Sequence, residues 1–176
     1  MTQSATSRLE NLAAAFALAL TDELQAAIEK TSAMTGGASA ALTTMLAYPG
    51  GSLDALRRVL RLTPSGAGRL IDRLVDAGMV VRQSGATDQR FIALHLTARG
   101  TKLAERILAA RRAAVHRPLA SLTAEERALF ETLLDKMLYK MTPDRERCDH
   151  ICRLCEISAC PQDICPVETA ALERAL

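Results

Sequence analysis

The segment that most restricts the fold lies between Ser52 and Gly100, where two short helix patterns are followed by two strand patterns. The second helix pattern, "TPSGAGRLIDRLVDAG", has Thr63 at the N-cap position and Pro64 at the first helical position, and it stops at Gly78. The runs "MVVRQ" and "RFIALHL" follow and are joined by "SGATD", which is the spacing of a β-hairpin. Together these patterns predict a winged helix–turn–helix.

Long helices are predicted on both sides of this segment. In the N-terminal part, apolar residues recur in steps of three and four, at Leu9, Leu12, Phe16, Leu20, Leu24 and Ile28. After the hairpin, Thr97 caps a second long helix, which Pro118 should end or kink near Arg117. Thr123 and Glu126 form a capping box at the start of a third helix.

The composition agrees with a helical globular chain. Hydrophobic residues make up 49% of the sequence and charged residues 24%, while aromatic residues make up only 3%. The apolar run "LAAAFALAL" at 12–20 is far shorter than the ~20 residues that a membrane helix needs. We therefore expect it to be part of a buried helix in a cytoplasmic protein with no membrane partner, in a compartment that keeps thiols reduced.

The middle of the chain is basic. Residues 52–100 contain eight arginines and four aspartates, whereas both ends of the chain are acidic. This distribution is typical of a protein that binds anions locally. No nucleophile elbow, phosphate loop or identifiable pair of catalytic carboxylates occurs in the sequence, so we expect no enzymatic activity.

Duplex DNA is the anion that this arrangement fits best. Small residues at the start of a helix let its N-terminus enter the major groove, and the first residues of the predicted recognition helix include Thr63, Pro64, Ser65 and Gly68. Arg69 lies about one turn after Ser65 and is long enough to reach a guanine edge. Arg73 is expected to meet phosphate. Arg90 follows the small residues of the hairpin tip and is expected in the minor groove.

Residues 8–141 resemble the MarR family of bacterial repressors. The resemblance is carried by the recognition helix, by the wing motif Asp88-Gln89-Arg90 and by the strand-to-helix junction "LHLTARG" at 94–100. It implies a homodimer whose long helices interdigitate and whose two recognition helices read a palindromic operator. It also implies that Asp88 holds the wing arginine in place. Gly66 and Gly68 depart from the family, which often has larger helix-forming residues there.

The expected fold class is therefore mainly α: a winged helix–turn–helix with long N- and C-terminal dimerisation helices and a small β-hairpin wing. Four regions are expected. Residues 1–37 form the N-terminal dimerisation helix, 38–100 the DNA-binding domain, 101–141 the C-terminal dimerisation helices, and 142–176 a cysteine-rich metal-binding tail.

All five cysteines of the chain occur in this tail, with the spacing C-x3-C-x2-C-x4-C-x4-C. An odd number of thiols in a reducing compartment argues against a disulfide framework. Thiolates select zinc or iron–sulfur clusters, and a bound cation offsets their mutual repulsion. The ligands expected are Cys152, Cys155, Cys160 and Cys165, with Cys148 or His150 as the spare.

The identity of the metal stays open at this point. Zinc sites usually pair two C-x2-C knuckles, and this tail has only one, at Cys152 and Cys155. Closely spaced thiolates, two of them followed by proline, favour a [4Fe–4S] cluster, although no standard ferredoxin motif is present. Structural zinc, or a thiol switch without metal, are the alternatives.

Three functional interpretations follow. The preferred one is a dimeric transcriptional regulator of MarR type, most simply a repressor, whose tail senses redox state, iron or oxygen through the cluster. In the second, the tail is a structural zinc clasp and a small-molecule effector provides the signal. The third, from another class, is an electron-transfer or metal-carrying protein whose helix–turn–helix docks a protein partner.

Overall fold

The computed structural model describes residues 2–34, 37–84 and 92–175, with side chains from residue 7 onward. Within these residues the chain is mainly helical and contains one small antiparallel sheet. Its elements are, in order, α1 (Thr2–Ser32), α2 (Ala38–Ala47), α3 (Leu53–Leu60), α4 (Pro64–Asp76), β1 (Val80–Ser84), β2 (Ile92–Leu96), α5 (Ala98–Leu119), α6 (Ala124–Lys140), α7 (Arg145–Ile151) and α8 (Pro166–Glu173). The fold class predicted from the sequence is confirmed.

Side-chain caps define where most of the helices begin. The hydroxyl groups of Ser52, Thr63, Thr97 and Thr123 each accept a hydrogen bond from the backbone N–H three residues ahead. In the tail, the carboxylate of Asp144 does the same. Each such cap stabilises a helix by ~1 kcal/mol, because it satisfies an N–H group that the helix itself cannot pair.

Helix α5 extends slightly further than expected. It passes Arg117 and ends at Leu119, so that Pro118 lies inside its last turn. Pro118 cannot donate to the carbonyl of Ala114, but only one more helical residue follows it, so no further turn depends on that missing hydrogen bond. The proline therefore precedes the end of the helix rather than breaking it.

The main apolar core lies between α2, α3, α4, the hairpin and α5. Its most deeply buried large side chains include Leu42, Ile71, Leu74, Leu94 and Ile107. The core thus anchors the recognition helix α4 through the face opposite to its exposed residues.

The hairpin is fixed to the end of α4. Strands β1 and β2 pair in antiparallel register from Val80 opposite Leu96 to Ser84 opposite Ile92. Thr97 donates a hydrogen bond of 2.8 Å to the carbonyl of Gly78, just after α4. The tip of the hairpin, residues 85–91, lies outside the described residues.

Helices α1 and α6 expose much of their apolar stripes. The exposed side chains are Leu9, Leu12, Phe16, Leu18, Leu129, Leu133, Met137 and Met141. The expectation that residues 12–20 form a buried helix is thus not met within one protomer. The physical reason is that α1 packs on α5 mainly through its C-terminal part, where Ile28 is buried, while its first half projects beyond the core.

No helix among the described residues is long and apolar enough to span a membrane.

The cysteine-rich tail is folded. It consists of α7, a 3-10 turn at Cys152–Leu154 and α8. A second apolar cluster holds it together, formed by Cys148, Cys165, Val167 and Ala171 with Leu138 of α6 beside them. The tail contacts α6 through α8, and it also contacts α2 and α3 of the helix–turn–helix through the 3-10 turn and α7.

Candidate functional site

The N-terminus of the recognition helix α4 is exposed and carries only small side chains. Thr63 caps it through a hydrogen bond of 3.1 Å from the N–H of Gly66. A β-carbon added at Gly66 would lie 3.0 Å from the Thr63 hydroxyl, so the cap itself favours glycine there. A β-carbon at Gly68 would meet nothing within 4 Å, which leaves that surface open. Thr63, Pro64 and Ser65 are all exposed or half-exposed around it.

The basic side chains of α4 lie on its outer face. Arg69 and Arg73 are at least partly exposed, while Leu70 and Leu74 are buried in the core. Among the described residues, neither arginine forms an ion pair. Both guanidinium groups can therefore reach outward without breaking an ion pair among the described residues. The other two predicted DNA contacts, Asp88 and Arg90, fall on the hairpin tip and lie outside the described residues.

The arginines of α3 are partly neutralised. Asp54 accepts a hydrogen bond of 2.6 Å from Arg57 and pairs with Arg58 at 3.1 Å. Arg82 of β1 is similarly paired with Asp72 of α4 at 2.7 Å. Arg69 and Arg73 thus differ from these neighbours in having no carboxylate partner among the described residues.

The five thiols line one cavity of about 300 Å³. These are Cys148, Cys152, Cys155, Cys160 and Cys165, and none of them is in a disulfide. The tail forms one side of the cavity, and α2, α3 and Leu94 of β2 form the other. The structure therefore brings together all four predicted ligands and the predicted spare.

The thiols differ in protonation. A hydrogen bond from the Cys152 thiol lowers the pKa of Cys155 to about 6 and raises the pKa of Cys152. Burial raises the pKa of Cys160 to about 11, and the neighbouring Cys165 adds to this effect. Within the hydrogen-bonded pair, Cys155 is thus the thiol that ionises first.

Cys148 has polar partners of its own. Its thiol donates to a carboxylate oxygen of Glu168 at 3.5 Å and accepts from Arg145, also at 3.5 Å. Arg145 and Glu168 form a bidentate pair at 2.8 and 2.6 Å, which lowers the pKa of Glu168. Burial raises the pKa of Cys148 to about 12, so this thiol is held in its protonated form.

His150, the other predicted spare, is also engaged. Its Nδ1 lies 2.9 Å from the backbone carbonyl oxygen of Val59 in α3. Burial lowers its pKa, and the nearby arginines contribute. A neutral ring that donates through Nδ1 would bind the tail to α3.

The thiols lie close to one another in two pairs. Cys152 is within hydrogen-bond reach of Cys155, and Cys160 is within reach of Cys165. Among the described residues, no three Cys, His, Asp or Glu side chains are arranged to hold a metal ion. Five soft sulfur donors line the cavity, and this donor set is one that zinc and iron–sulfur clusters both accept.

Sequence reasoning missed the contacts between the tail and the helix–turn–helix. Thr43 of α2 donates a hydrogen bond of 2.8 Å to the backbone carbonyl of Arg153. Arg112 of α5 pairs with Glu156 in the tail. Polar pairs separated by more than 40 residues carry no local periodicity, so no signal in the sequence could have located them.

Known repressors are similar to part of this chain. No protein-family model matches it. The HTH-type transcriptional repressors Rv2887 of Mycobacterium tuberculosis and Mb2911 of Mycobacterium bovis are each 39% identical over 89 residues. The match covers 51% of this chain and 64% of each repressor, which is just under two thirds of their length. These relatives are regulators and not enzymes.

Solved structures share the fold over a longer region. The crystal structure of the M. tuberculosis MarR family protein Rv2887 in complex with DNA is 32% identical, with a TM-score of 0.60, and the match covers 73% of this chain and 96% of that one. A MarR family protein from Bacillus stearothermophilus has a TM-score of 0.70 at 24% identity, with 81% and 99% covered. The chain belongs to the MarR family of winged helix–turn–helix transcriptional regulators.

Proposed function

We propose that the chain is a repressor that binds duplex DNA as a homodimer, with one recognition helix from each protomer in successive major grooves. The observation that carries the proposal is the pair of outward-facing arginines, Arg69 and Arg73, behind the small N-terminal residues of α4. Rv2887, which is 32% identical, has been crystallised with DNA. Arg90 would supply the minor-groove contact, and Asp88 would hold that arginine in place.

Binding of duplex DNA tests this proposal directly. Fragments from the region upstream of the protein's own gene should shift in an electrophoretic assay, and the logarithm of affinity should fall linearly with that of salt concentration. The Arg69→Ala variant should shift them less. Equal DNA binding by the wild-type protein and the Arg69→Ala variant, or DNA binding that does not depend on salt, would refute the assigned interface. Family membership already favours this regulator over an electron-transfer or metal-carrying protein.

We infer that the tail holds a [4Fe–4S] cluster through Cys152, Cys155, Cys160 and Cys165. Support comes from the shared cavity that these four thiols line. Cys148 suits the role of spare, because its thiol is already bonded to Glu168 and Arg145. When bound, the cluster would make the tail responsive to oxygen, iron supply or redox state in a reducing cytoplasm.

The spacing of the cysteines favours a cluster over zinc. Zinc sites usually pair two C-x2-C knuckles, and this tail has only one, at Cys152 and Cys155. Closely spaced thiolates, two of them followed by proline, are typical of the ligands of an iron–sulfur cluster. Structural zinc, combined with a small-molecule effector, is the second candidate. The observation in its favour is that Rv2887 has been crystallised with salicylic acid.

Metal analysis of anaerobically purified protein separates these candidates. A brown protein with equal iron and sulfide supports the cluster, and a colourless protein with one zinc per chain refutes it. Cys155→Ser should lose most of the iron, whereas the matched variant Cys148→Ser should keep it. Equal iron loss in both variants would contradict the assigned ligand set.

The proposed signal runs from the tail to DNA affinity. The tail follows α6 directly, and α8 packs on α6 through Val167, Ala171 and Leu138. Loss of the cluster would change the position of the dimerisation helices and thereby the spacing of the two recognition helices. Affinity would fall, because both half-sites must be met together. If loaded and metal-free protein bound DNA equally, the sensing role would be excluded.

A further inference from the structure

The thiol cavity has a second wall that the tail does not provide. Its apolar residues from the helix–turn–helix include Leu56 and Val59 of α3, Met45 of α2 and Leu94 of β2. Leu56, Met45 and Leu94 are also members of the main core that anchors the recognition helix. A group that fills the cavity would therefore touch the tail on one side and the DNA-reading domain of the same protomer on the other.

Direct contacts around the cavity also join the tail to the helix–turn–helix. Leu154, in the 3-10 turn of the tail, packs against the main core. The Thr43 hydroxyl donates to the Arg153 carbonyl at 2.8 Å, and His150 contacts the Val59 carbonyl at 2.9 Å. These three contacts come from consecutive parts of the tail, between Cys148 and Cys155. The segment that carries three of the five thiols is thus the segment that is docked on α2 and α3.

The far end of the tail is attached elsewhere. Glu173 of α8 accepts a hydrogen bond from the Tyr139 hydroxyl of α6, and Arg174 donates to the Tyr139 carbonyl at 3.0 Å. The tail therefore spans from the dimerisation helix α6 to the helix–turn–helix. Between these two ends, Arg112 of α5 pairs with Glu156 of the tail. The attachment on α2 and α3 brings residues of both helices into the cavity wall.

From this geometry we propose that the tail is a strap that couples the thiol cavity directly to α3 within each protomer. The inference rests on the proposed cluster. When the cluster fills the cavity, it packs between the strap and the side chains of Leu56 and Val59. This contact holds α3 in place, and α3 in turn positions α4. When the cavity is empty, α3 loses that support and the recognition helix is less rigidly held. This coupling acts within one protomer and adds to any change in the spacing of the dimerisation helices.

Hydrogen exchange of the full-length protein, measured by mass spectrometry without DNA, tests whether the strap couples the cavity to α3. Cluster-loaded protein is compared with protein stripped by a chelator while its thiols are kept reduced. We expect amides of α2, α3 and α7 to exchange roughly tenfold faster or more after stripping. Amides of α1 and α6 should change little. The reverse pattern, with faster exchange confined to α1 and α6, would overturn the inference and favour coupling through the dimer.

Variants of the strap contacts sharpen the test. Leu154→Ala removes the apolar contact with the core, and Thr43→Val removes the hydrogen bond to Arg153 while keeping the shape of the side chain. Each should reduce the difference in α3 exchange between loaded and stripped protein. Leu172→Ala, which shortens an exposed leucine on α8, is the matched control and should leave that difference intact. A full α3 response in both strap variants would refute the strap.

Iron and sulfide content keeps the two proposals apart. If the wild-type protein contains no iron, the proposed cluster fails and the inference fails with it. If iron is present but α3 exchanges at the same rate in loaded and stripped protein, only the strap is excluded and the cluster stands.

Discussion

Arg69 and Arg73 lie one helical turn apart on the outer face of α4, but they are expected to act differently. Arg69 is nearer to the N-terminus, which enters the groove first, and its planar guanidinium group suits a guanine edge. Arg73 is further from the bases and suits phosphate. The position of each arginine along the helix therefore predicts its role: Arg69 recognises a base, and Arg73 binds the DNA backbone whatever the base sequence.

Alanine substitutions at these two positions should separate the two roles. Arg69→Ala should weaken binding by ~1–3 kcal/mol for each guanine that the arginine recognises, and it should relax the preference for the operator over unrelated duplex. Arg73→Ala should weaken binding to both duplexes alike and lower the salt slope by ~0.9 for each phosphate that the arginine neutralises. Fluorescence anisotropy titrations at several salt concentrations measure both effects. Identical behaviour of the two variants would contradict the assignment.

Among the helices and strands, the junction between the wing and α5 is a notably tight contact in the DNA-binding domain. Gly100 in the first turn of α5 lies so close to the carbonyl of Met79 that an added β-carbon would clash with its oxygen. The capping Thr97 contacts the carbonyl oxygens of both Gly78 and Met79. This junction fixes strands β1 and β2 against the end of α4.

Two glycine-to-alanine changes should therefore have opposite effects on stability. Gly100→Ala forces α5 away from Met79 and should lower the free energy of unfolding by ~1–3 kcal/mol or more. Gly68→Ala, on the open face of α4, should raise it by ~0.5–1 kcal/mol, because glycine weakens helix interiors. Urea denaturation followed by circular dichroism measures both changes. A destabilising Gly68→Ala would mean that the surface around Gly68 is not open.

In the molecule as a whole, the exposed apolar stripes of α1 and α6 are the surface on which the two protomers of the proposed homodimer would meet. Phe16 of α1 and Phe130 of α6 form an edge-to-face pair, with ring centroids 6.3 Å apart, which holds the two stripes side by side. Leu12, Leu133 and Met137 lie exposed in these stripes. Burial of this surface against a second copy would stabilise the dimer by about 25 cal/mol for each Å² of apolar area.

A charge placed in this stripe should separate the protomers. Leu133→Glu should shift the protein from dimer to monomer in sedimentation experiments, because burying an unpaired carboxylate is costly. DNA affinity should fall with it, since a monomer meets only one half-site. Leu133→Met keeps the side chain apolar and should remain dimeric. A dimeric Leu133→Glu variant would show that the interface lies elsewhere.

The local features of this protein follow from its sequence alone. The caps at Ser52, Thr63, Thr97 and Thr123, the order of the elements and the resemblance to the MarR family could all be read along the chain, because each depends on residues within a few positions of one another. The clustering of the thiols at one site was also expected, since 18 residues contain all five.

What the tail touches, in contrast, became known only from the assembled fold. Three contacts show this: Leu154 packs on the main core, Thr43 binds the carbonyl of Arg153, and residues of α3 line the thiol cavity. Each joins residues that are about 100 positions apart in the sequence, and such pairings leave no periodic pattern. The exposure of α1 likewise followed from the shape of the assembled core rather than from its apolar stripe, which is the same for a helix buried in its own chain and for one buried by a partner. Burial is a property of the surroundings, and a periodic pattern indicates only which face of an element requires it.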